Sequence, residues 1–358
     1  MAALKPPISG RGAQGNPANR FTRIEAVADP EFYGGSFADE WESLPITQYL
    51  RDTSRSVISS NDSPDLPMEA TLNPYRGCEH GCAYCYARPT HEYLGFSAGL
   101  DFETQILVKE EAPQLLREAL SKPKYKPVTL SLSGVTDAYQ PVERQLQVTR
   151  RCLEVLRDFR NPVGIVTKNF LVTRDLDLLA EMARWNGAHV LLSITTLDAE
   201  LARRLEPRAA SPARRLEAVR RLSQAGVPTS VMAAPVIPGL TDHELPSIIA
   251  AAAEHGAKDV HAIPLRLPGA VVEVFTAWLQ EHYPDRVDRV LNRIRSLRGG
   301  KLNDANFHTR FRGEGHVADG IAQMLKISKK RAGLPRPFPP LSVEQFRVPG
   351  PRQLDLFS

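Results

Sequence analysis

The run Cys78-Glu79-His80-Gly81-Cys82-Ala83-Tyr84-Cys85 places three cysteines within eight residues, at the spacing C-x3-C-x2-C. Three thiolates this close along the chain can bind one metal centre, and three ligands on a four-iron cluster leave one iron open to another molecule. The alternatives are a zinc site and three buried thiols. Zinc sites usually include a fourth Cys or His at short spacing, and only His80 and His91 are near enough. The run therefore favours an iron–sulfur cluster with an open iron.

With Tyr84 just before the third cysteine, the run resembles the signature C-x3-C-x-aromatic-C of the radical S-adenosylmethionine (radical SAM) superfamily. The resemblance implies that Cys78, Cys82 and Cys85 ligate a [4Fe-4S] cluster and that S-adenosyl-L-methionine chelates the fourth iron. In this superfamily the reduced cluster cleaves the sulfonium and yields a 5'-deoxyadenosyl radical, which abstracts hydrogen from the substrate. The resemblance also implies that Tyr84 flanks the adenine and that a flavodoxin- or ferredoxin-like reductant is a partner.

The longer string Tyr84-Cys85-Tyr86 resembles the spore photoproduct lyase family, radical SAM enzymes that reverse a thymine dimer in DNA. This resemblance implies that Tyr86 takes part in radical transfer. It also implies cofactor-binding residues at the ends of three predicted strands. These are Ser133 for the methionyl group, Lys168 for the carboxylate and Ser193 for the cofactor.

The chain departs from the lyase family in the second predicted strand. Two residues before Ser133, where the family has the cysteine that returns a hydrogen atom to the product radical, this chain has Ser131. A serine O–H bond is much stronger than a thiol S–H bond, so Ser131 cannot act as that donor. The fourth cysteine, Cys152, falls on the apolar face of a predicted helix and is interpreted as core filler. We therefore predict a related enzyme without the lyase's cysteine hydrogen donor.

From about residue 69, short apolar and β-branched runs alternate with longer helical patterns, which predicts parallel strands joined by helical crossovers. Strands are predicted at 70–75, 128–133, 163–168, 190–195, 229–236 and 260–265, and helices at 110–120, 143–160, 174–186, 213–225 and 242–255. Six such units predict an α/β fold, a partial (β/α)6 barrel of TIM type over residues 66–268, which is also usual in radical SAM enzymes. The active site of such a barrel lies at the carboxyl ends of its strands, and the cysteine run follows the first strand.

The segments on either side of the predicted barrel differ in composition. Residues 1–65 are polar and rich in Gly, Pro, Ser and Arg, which predicts an irregular arm. Helices at 271–281, 286–298 and 317–329 predict a helical, basic extension over residues 269–333. Residues 334–358 are proline-rich and are predicted to form an extended tether.

Cysteine usage and hydropathy indicate the compartment. Only four cysteines occur in 358 residues and three belong to one motif, which argues against a disulfide framework and favours a reducing compartment. No stretch has the length and apolarity of a signal peptide or of a membrane span. The sequence therefore predicts a cytoplasmic protein without membrane contact.

The charge of the C-terminal part bears on the substrate. Between residues 289 and 336 the chain carries twelve Lys and Arg residues against three Asp and Glu. A basic region beside a radical site suits nucleic acid, with Phe307, His308 and Phe311 available for stacking, although a solvated helical surface is the alternative. Polar residues near predicted strand ends are further candidates to face the substrate, namely Asp137, Tyr139, Gln140, Glu143 and Arg266.

The final residues contain a second recognition motif. The string Gln353-Leu354-Asp355-Leu356-Phe357 resembles the peptide by which bacterial DNA polymerases and repair proteins bind the sliding clamp. Such a peptide works by presenting Gln for hydrogen bonding and Leu and Phe as apolar anchors. The resemblance implies the DNA sliding clamp as a partner, and a frayed terminus is the alternative.

Three functions are compatible with the sequence. The first is a radical SAM enzyme that acts on nucleic acid, DNA above all, and is related to spore photoproduct lyase. The second is a radical SAM enzyme that modifies RNA, a protein or a small molecule. The third is a non-catalytic, metal-bearing adaptor that binds the clamp. We expect the first.

Overall fold

The computed structural model describes residues 8, 10–21, 46–66, 68–132, 134–334 and 340–350. Over these residues the chain forms ten β-strands and eleven α-helices, and none of these helices is long and apolar enough to cross a membrane. The strands are β1 (Gln48–Arg51), β2 (Ile58–Ser60), β3 (Ala70–Leu72), β4 (Tyr75–Arg76), β5 (Gln105–Val108), β6 (Leu130–Leu132), β7 (Val163–Thr167), β8 (Ala188–Ser193), β9 (Thr229–Val236) and β10 (Asp259–Pro264). The helices are α1 (Leu100–Thr104), α2 (Ala112–Leu120), α3 (Glu143–Leu146), α4 (Val148–Phe159), α5 (Leu176–Ala183), α6 (Ala199–Leu205), α7 (Pro212–Gln224), α8 (Leu245–Glu254), α9 (Val271–His282), α10 (Val287–Leu297) and α11 (Gly315–Arg331).

The main sheet of the described part has the strand order β10-β9-β8-β7-β6-β3-β2. From β3 to β10 neighbouring strands are parallel; Val163 of β7, for example, lies opposite Leu130 on one side and Ala188 on the other. β2 adds an antiparallel strand at the edge. Six parallel strands in chain order, with helices in the crossovers, confirm the predicted α/β fold and partial barrel.

Apolar helix faces hold the helices on this sheet. In α4 the buried face contains Cys152, Leu153, Leu156 and Phe159, at the spacing of a single helical stripe. Each fully buried Leu or Phe contributes about 1.5–3 kcal/mol. Cys152 is completely buried in this stripe, as its interpretation as core filler requires.

A small second sheet, in the order β1-β5-β4, changes two sequence-based predictions. The arm predicted to be irregular over residues 1–65 contains β1, which pairs in parallel with β5, and β2, which pairs with β3. The first predicted strand, 70–75, ends at Leu72, and Tyr75–Arg76 forms β4, antiparallel to β5. The cysteine run therefore follows β4 of the small sheet and does not directly follow the first strand of the main sheet.

The C-terminal helices α9, α10 and α11 match the three predicted ones, but part of the tail is not a free tether. Within residues 340–350, Phe346 packs against Tyr125 and Phe159, with ring centroids 5.5 and 6.3 Å apart. This segment therefore lies on the outside of the barrel. The clamp-binding-like peptide, Gln353 to Phe357, lies outside the described residues and stays a prediction.

Candidate active site

The three cysteines lie in a loop that follows β4, residues 77–87, which we call the cysteine loop. Gly77 has φ +78°, so the chain turns sharply there, and Cys78 N donates to Phe102 O at 2.9 Å. Cys78 and Cys82 are buried in two separate apolar clusters. Cys85 packs against both clusters. The cysteine loop therefore brings the three thiols close to one another.

The electrostatics of these thiols suit a metal cluster. Burial raises the pKa of Cys82 well above its ordinary value, and Glu206, Cys85 and Cys78 raise it further while Lys168 acts against them. Burial and the Cys78 thiol also raise the pKa of Cys85. Such thiols ionise near neutral pH only when a cation accepts their charge. Across the described ranges, no three His, Cys, Asp or Glu side chains already form a single-ion site. The soft donor set fits the irons of a [4Fe-4S] cluster.

A buried ion pair fixes the cysteine loop. Arg88 and Glu103 are both fully buried, with Nη2 2.6 Å from Oε1. The same guanidinium donates twice to Cys82 O, at 2.9 and 3.0 Å, and to Ala98 O and Gly99 O at 3.1 and 2.8 Å. All five N–H groups of Arg88 therefore have partners, and the backbone at the second cysteine cannot move without breaking two of these bonds.

An N-terminal segment, residues 10–21, lies on the cysteine loop. Glu103 accepts hydrogen bonds from Gly12 N at 3.1 Å and from Ala13 N at 2.8 Å, and Ala13 is completely buried. Further along, Arg20 pairs with Glu92 at 2.7 Å. The sequence analysis missed this contact because the segment has no helical or strand periodicity.

Replacing Gly12 is expected to displace this segment. A Cβ at residue 12 would lie 1.6 Å from the backbone oxygen of Gly81. Gly12→Ala should therefore lower the free energy of unfolding by about 1–3 kcal/mol, measured by chemical denaturation. Gly15→Ala is the matched control, since a Cβ there has no atom within 4 Å. Equal stability of the two variants would contradict this packing.

Lys168, Ser193 and Tyr84 meet at the carboxyl ends of β7 and β8. Lys168 Nζ donates to Ser193 Oγ at 3.1 Å and lies 5.7 Å from the centre of the Tyr84 ring. Burial acts to lower the pKa of Lys168, but the charges of Cys82 and Glu206 outweigh it, and the pKa is raised. A partly buried ammonium group therefore lies beside the cysteine loop, where it can pair with a carboxylate.

Next to this group lies a buried carboxylate that the sequence analysis missed. Glu206 is fully buried and accepts hydrogen bonds from Arg215, from the Tyr84 hydroxyl and from Thr195 Oγ1, the last at 3.0 Å. Burial acts to raise the pKa of Glu206, but Arg215 and Lys168 outweigh it and hold the pKa below the ordinary 4.5. These contacts fix the Tyr84 ring beside the cysteines.

Tyr86 lies at the exposed edge of the cysteine loop. Its side chain is 51% exposed, and its hydroxyl donates to Gly134 O at 2.8 Å. Ser133, directly before Gly134, lies outside the described residues. Ser131 is buried in β6, between β3 and β7. Tyr86 is therefore accessible to a bound molecule, and Ser131 is not.

Four of the five polar residues predicted to face the substrate have structural contacts instead. Tyr139, Gln140 and Glu143 are completely buried, and Asp137 is nearly so. The carboxylates of Asp137 and Glu143 accept several hydrogen bonds from the surrounding protein. The prediction is wrong for these four because strand-end loops here pack against each other. Arg266 remains.

Arg266 follows β10 and lies between two aromatic rings. Its Cζ is 5.6 Å from the centre of the Tyr86 ring and 4.9 Å from that of Phe311. Arg310 continues the stack, 4.9 Å from Phe311 and 4.7 Å from Phe307. Arg266 has no ion pair or hydrogen bond to another residue that the structure describes. Burial and the charge of Arg310 lower the pKa of Arg266, while the charge of Asp65, which pairs with Arg310, acts to raise it.

The surplus of positive charge in the C-terminal extension is partly neutralised. Three of its basic residues form ion pairs with carboxylates of other segments. The pairs are Arg293–Asp242, Arg310–Asp65 and Lys329–Asp259. The basic extension therefore contributes less free charge than its composition suggests.

Comparison with known proteins agrees with this geometry. The family model for the radical SAM superfamily matches residues 72–252. An uncharacterised protein of Mycobacterium tuberculosis is 38% identical over 226 residues, which is 63% of this chain and 66%, just under two thirds, of that protein. A protein of Pseudomonas phage M6 named a radical SAM Nα-GlyT isomerase is 25% identical over 202 residues, 56% of this chain and 40% of its own length.

The fold also has a solved counterpart. Spore photoproduct lyase, in a complex with dinucleoside spore photoproduct, superposes with a TM-score of 0.59 and 16% identity, over 80% of each chain. At this identity the likeness concerns the fold. The superfamily uses a [4Fe-4S] cluster and S-adenosyl-L-methionine, which are this protein's cofactors, and it depends on a reductant. The matched region spans the cysteine loop and most of the barrel, and the chain belongs to the radical SAM superfamily.

Proposed function

We propose that this protein is a radical SAM enzyme that acts on nucleic acid, with DNA as the first substrate to test. The observation that carries the proposal is Arg266, a half-buried guanidinium between Tyr86 and Phe311 that forms no ion pair with a carboxylate in the described part of the chain. Guanidinium groups bind phosphate through paired N–H donors, and aromatic faces stack on bases. Phe307, 51% exposed, extends this surface. A phosphate at Arg266 would bring a nucleotide against Tyr86.

Two similar proteins bear on the substrate class and on the reaction type. The solved structure with the same fold is a lyase bound to a dinucleoside photoproduct. The phage relative is named an isomerase. A reaction on a nucleotide that ends without a net change of oxidation state would fit both names, and it is the reaction type we propose.

We assign the following roles to the side chains around the cysteine loop. Cys78, Cys82 and Cys85 hold the cluster, and Lys168 and Ser193, with Ser133, bind the methionine part of the cofactor while Tyr84 borders its adenine. When bound, the two cofactors together supply a 5'-deoxyadenosyl radical. The partly buried charge of Lys168 would orient the cofactor carboxylate, and Arg266 would hold the substrate on the Tyr86 side.

Tyr86 is the residue we assign to hydrogen return. Its phenolic O–H bond would break and give the hydrogen atom to the product radical, and the unpaired electron would stay on the Tyr86 oxygen until 5'-deoxyadenosine returned a hydrogen atom to it. Ser131 cannot donate hydrogen, and it is buried in β6. A phenolic O–H bond is much weaker than an alcohol O–H bond. Tyr86 is half-exposed and next to Cys85, and its hydroxyl donates to Gly134 O, a bond that it would exchange for one to the substrate.

Replacing Arg266 with glutamine tests the substrate class. Arg266→Gln should weaken binding of a fluorescent single-stranded or duplex oligonucleotide by about 10-fold at 0.1 M salt, because one charge-assisted phosphate contact is lost. The slope of log affinity against log salt should fall by about one unit. Fluorescence anisotropy measures both quantities.

Arg151→Gln is the matched control, since Arg151 is an exposed arginine on α4. It should leave oligonucleotide binding unchanged. If Arg266→Gln and Arg151→Gln bind oligonucleotides with the same affinity and salt slope, Arg266 does not contact nucleic acid. If the wild-type protein shows no salt-dependent binding at all, the substrate is of another class.

A further inference from the structure

We propose that an arginine-lined cavity beside the cysteine loop is the docking site of an acidic one-electron carrier protein that reduces the cluster. The inference concerns how electrons enter the protein and goes beyond the proposed function. It does not depend on which substrate the enzyme modifies.

The cavity lies outside the carboxyl end of β7 and has a volume of about 690 Å³. Its walls come from the segment after β7, the segment before α7 and the start of α3. Four of its lining residues are arginines and none is acidic. The arginines are Arg144, Arg174, Arg208 and Arg214. A concave surface lined by one sign of charge concentrates the field and favours a partner of the opposite sign.

Two of these arginines carry charge that no described carboxylate neutralises. Arg144 and Arg214 are exposed, and neither forms an ion pair with a residue in the described ranges. Arg214 instead lies over the Phe170 ring, 3.6 Å from its centre, and both residues line the cavity. Aromatic residues and arginines of this kind are enriched in protein interfaces.

The inner wall of the cavity contacts the cysteine loop directly. Asn169 Nδ2 lies 3.3 Å from His80 Nε2, and Arg208 N donates to His80 O at 3.3 Å. His80 is buried, two residues after Cys78, and its ring interacts with the Cys78 thiol. A carrier seated in the cavity would therefore be separated from a cluster ligand by two side chains, Asn169 and His80.

The cavity is distinct from the substrate side. The cysteine loop contacts the cavity through His80 and the Arg266 site through Tyr86, and the two sites share no lining residue. A nucleic acid bound in the cavity would meet the loop at His80, and Tyr86 does not line the cavity. An electron carrier there could exchange while substrate stays bound. One electron would pass from the carrier's reduced flavin or iron–sulfur centre to the cluster, with no bond or proton changed.

The test uses the double variant Arg144→Glu/Arg214→Glu of the cluster-loaded protein, with reduced flavodoxin and a [2Fe-2S] ferredoxin as probes. Binding of the carrier, measured by biolayer interferometry at low salt, should weaken at least about 10-fold. Formation of 5'-deoxyadenosine should slow when the carrier supplies electrons and stay unchanged when dithionite does. Dithionite is a small ion and needs no docking surface.

Lys122→Glu/Lys124→Glu is the control with the same change of charge, on exposed residues that precede β6 at the opposite end of the strands. It should behave as wild type. Equal carrier binding by both double variants would overturn the proposal. Loss of oligonucleotide binding with carrier binding intact would also overturn it, because the cavity would then be a nucleic-acid site. None of these assays requires substrate turnover, so failure of the proposed function gives a different result.

Discussion

Replacing Cys82 with alanine is expected to abolish cluster binding and, with it, the formation of 5'-deoxyadenosine from S-adenosylmethionine. Three thiolates are the fewest that hold a four-iron cluster with one open iron. Cys82 cannot be replaced by a neighbour, because its backbone oxygen is held by two hydrogen bonds from Arg88 and its side chain is buried beside Ala83 and Tyr84. Iron content after anaerobic reconstitution, and product formed with dithionite, measure the loss.

Cys152→Ala provides the control with the same chemical change. Cys152 lies in the buried stripe of α4 and is remote from the cysteine loop in sequence. Its loss should cost about 1 kcal/mol as a small cavity and leave the iron content at the wild-type value. If Cys82→Ala kept the full iron content and product yield, or if Cys152→Ala lost its iron, the assignment of the ligands would be wrong.

The barrel could be predicted from the sequence because parallel strands that are buried on both faces consist of continuous runs of apolar residues. The predicted strands 163–168 and 229–236 agree with β7 (Val163–Thr167) and β9 (Thr229–Val236). The predicted bounds were wrong where the backbone conformation of a single residue ends a helix. The predicted helix 143–160 is divided between α3 and α4 because Gln147 has φ +52°, a left-handed conformation that no periodicity reveals.

The candidate site could be predicted in part. Lys168 and Ser193 stand at strand ends, and strand ends of a parallel barrel converge, so their contact follows from the fold. The buried pairs Arg88–Glu103 and Glu206–Arg215 could not be predicted. Each joins different elements, and the choice of partner depends on how loops close after the barrel has formed.

The cysteine loop also depends on a segment that precedes the barrel by about fifty residues. Gly12 and Ala13 bind the Glu103 carboxylate that pairs with Arg88. Polar, glycine-rich sequence of this kind is usually interpreted as disordered, since it lacks the apolar residues needed for a core. Here backbone N–H groups, which every sequence supplies, make the contact, so composition carried no signal.

Glu206→Gln is expected to cause the largest loss of stability of any single change at the site. The substitution keeps the size of the side chain but removes the charge opposite Arg215, which is 1% exposed. A buried guanidinium left without its carboxylate costs about 3–5 kcal/mol, measured as the change in the free energy of unfolding at pH 7. The double variant Glu206→Gln/Arg215→Met removes both charges and should recover much of this loss.

Lowering the pH should reduce the difference in the free energy of unfolding between wild type and Glu206→Gln. The folded-state pKa of Glu206 is below its ordinary 4.5, so the stability that its charge contributes is present above that pH and is lost as pH falls through the lower folded-state pKa. Glu200→Gln is the control, because Glu200 is 61% exposed and pairs with Arg204 on the surface of α6. It should cost at most about 0.5 kcal/mol at any pH. A loss from Glu206→Gln no larger than this at pH 7 would mean that Arg215 does not depend on Glu206, and that Tyr84 is held beside the cysteines by other contacts.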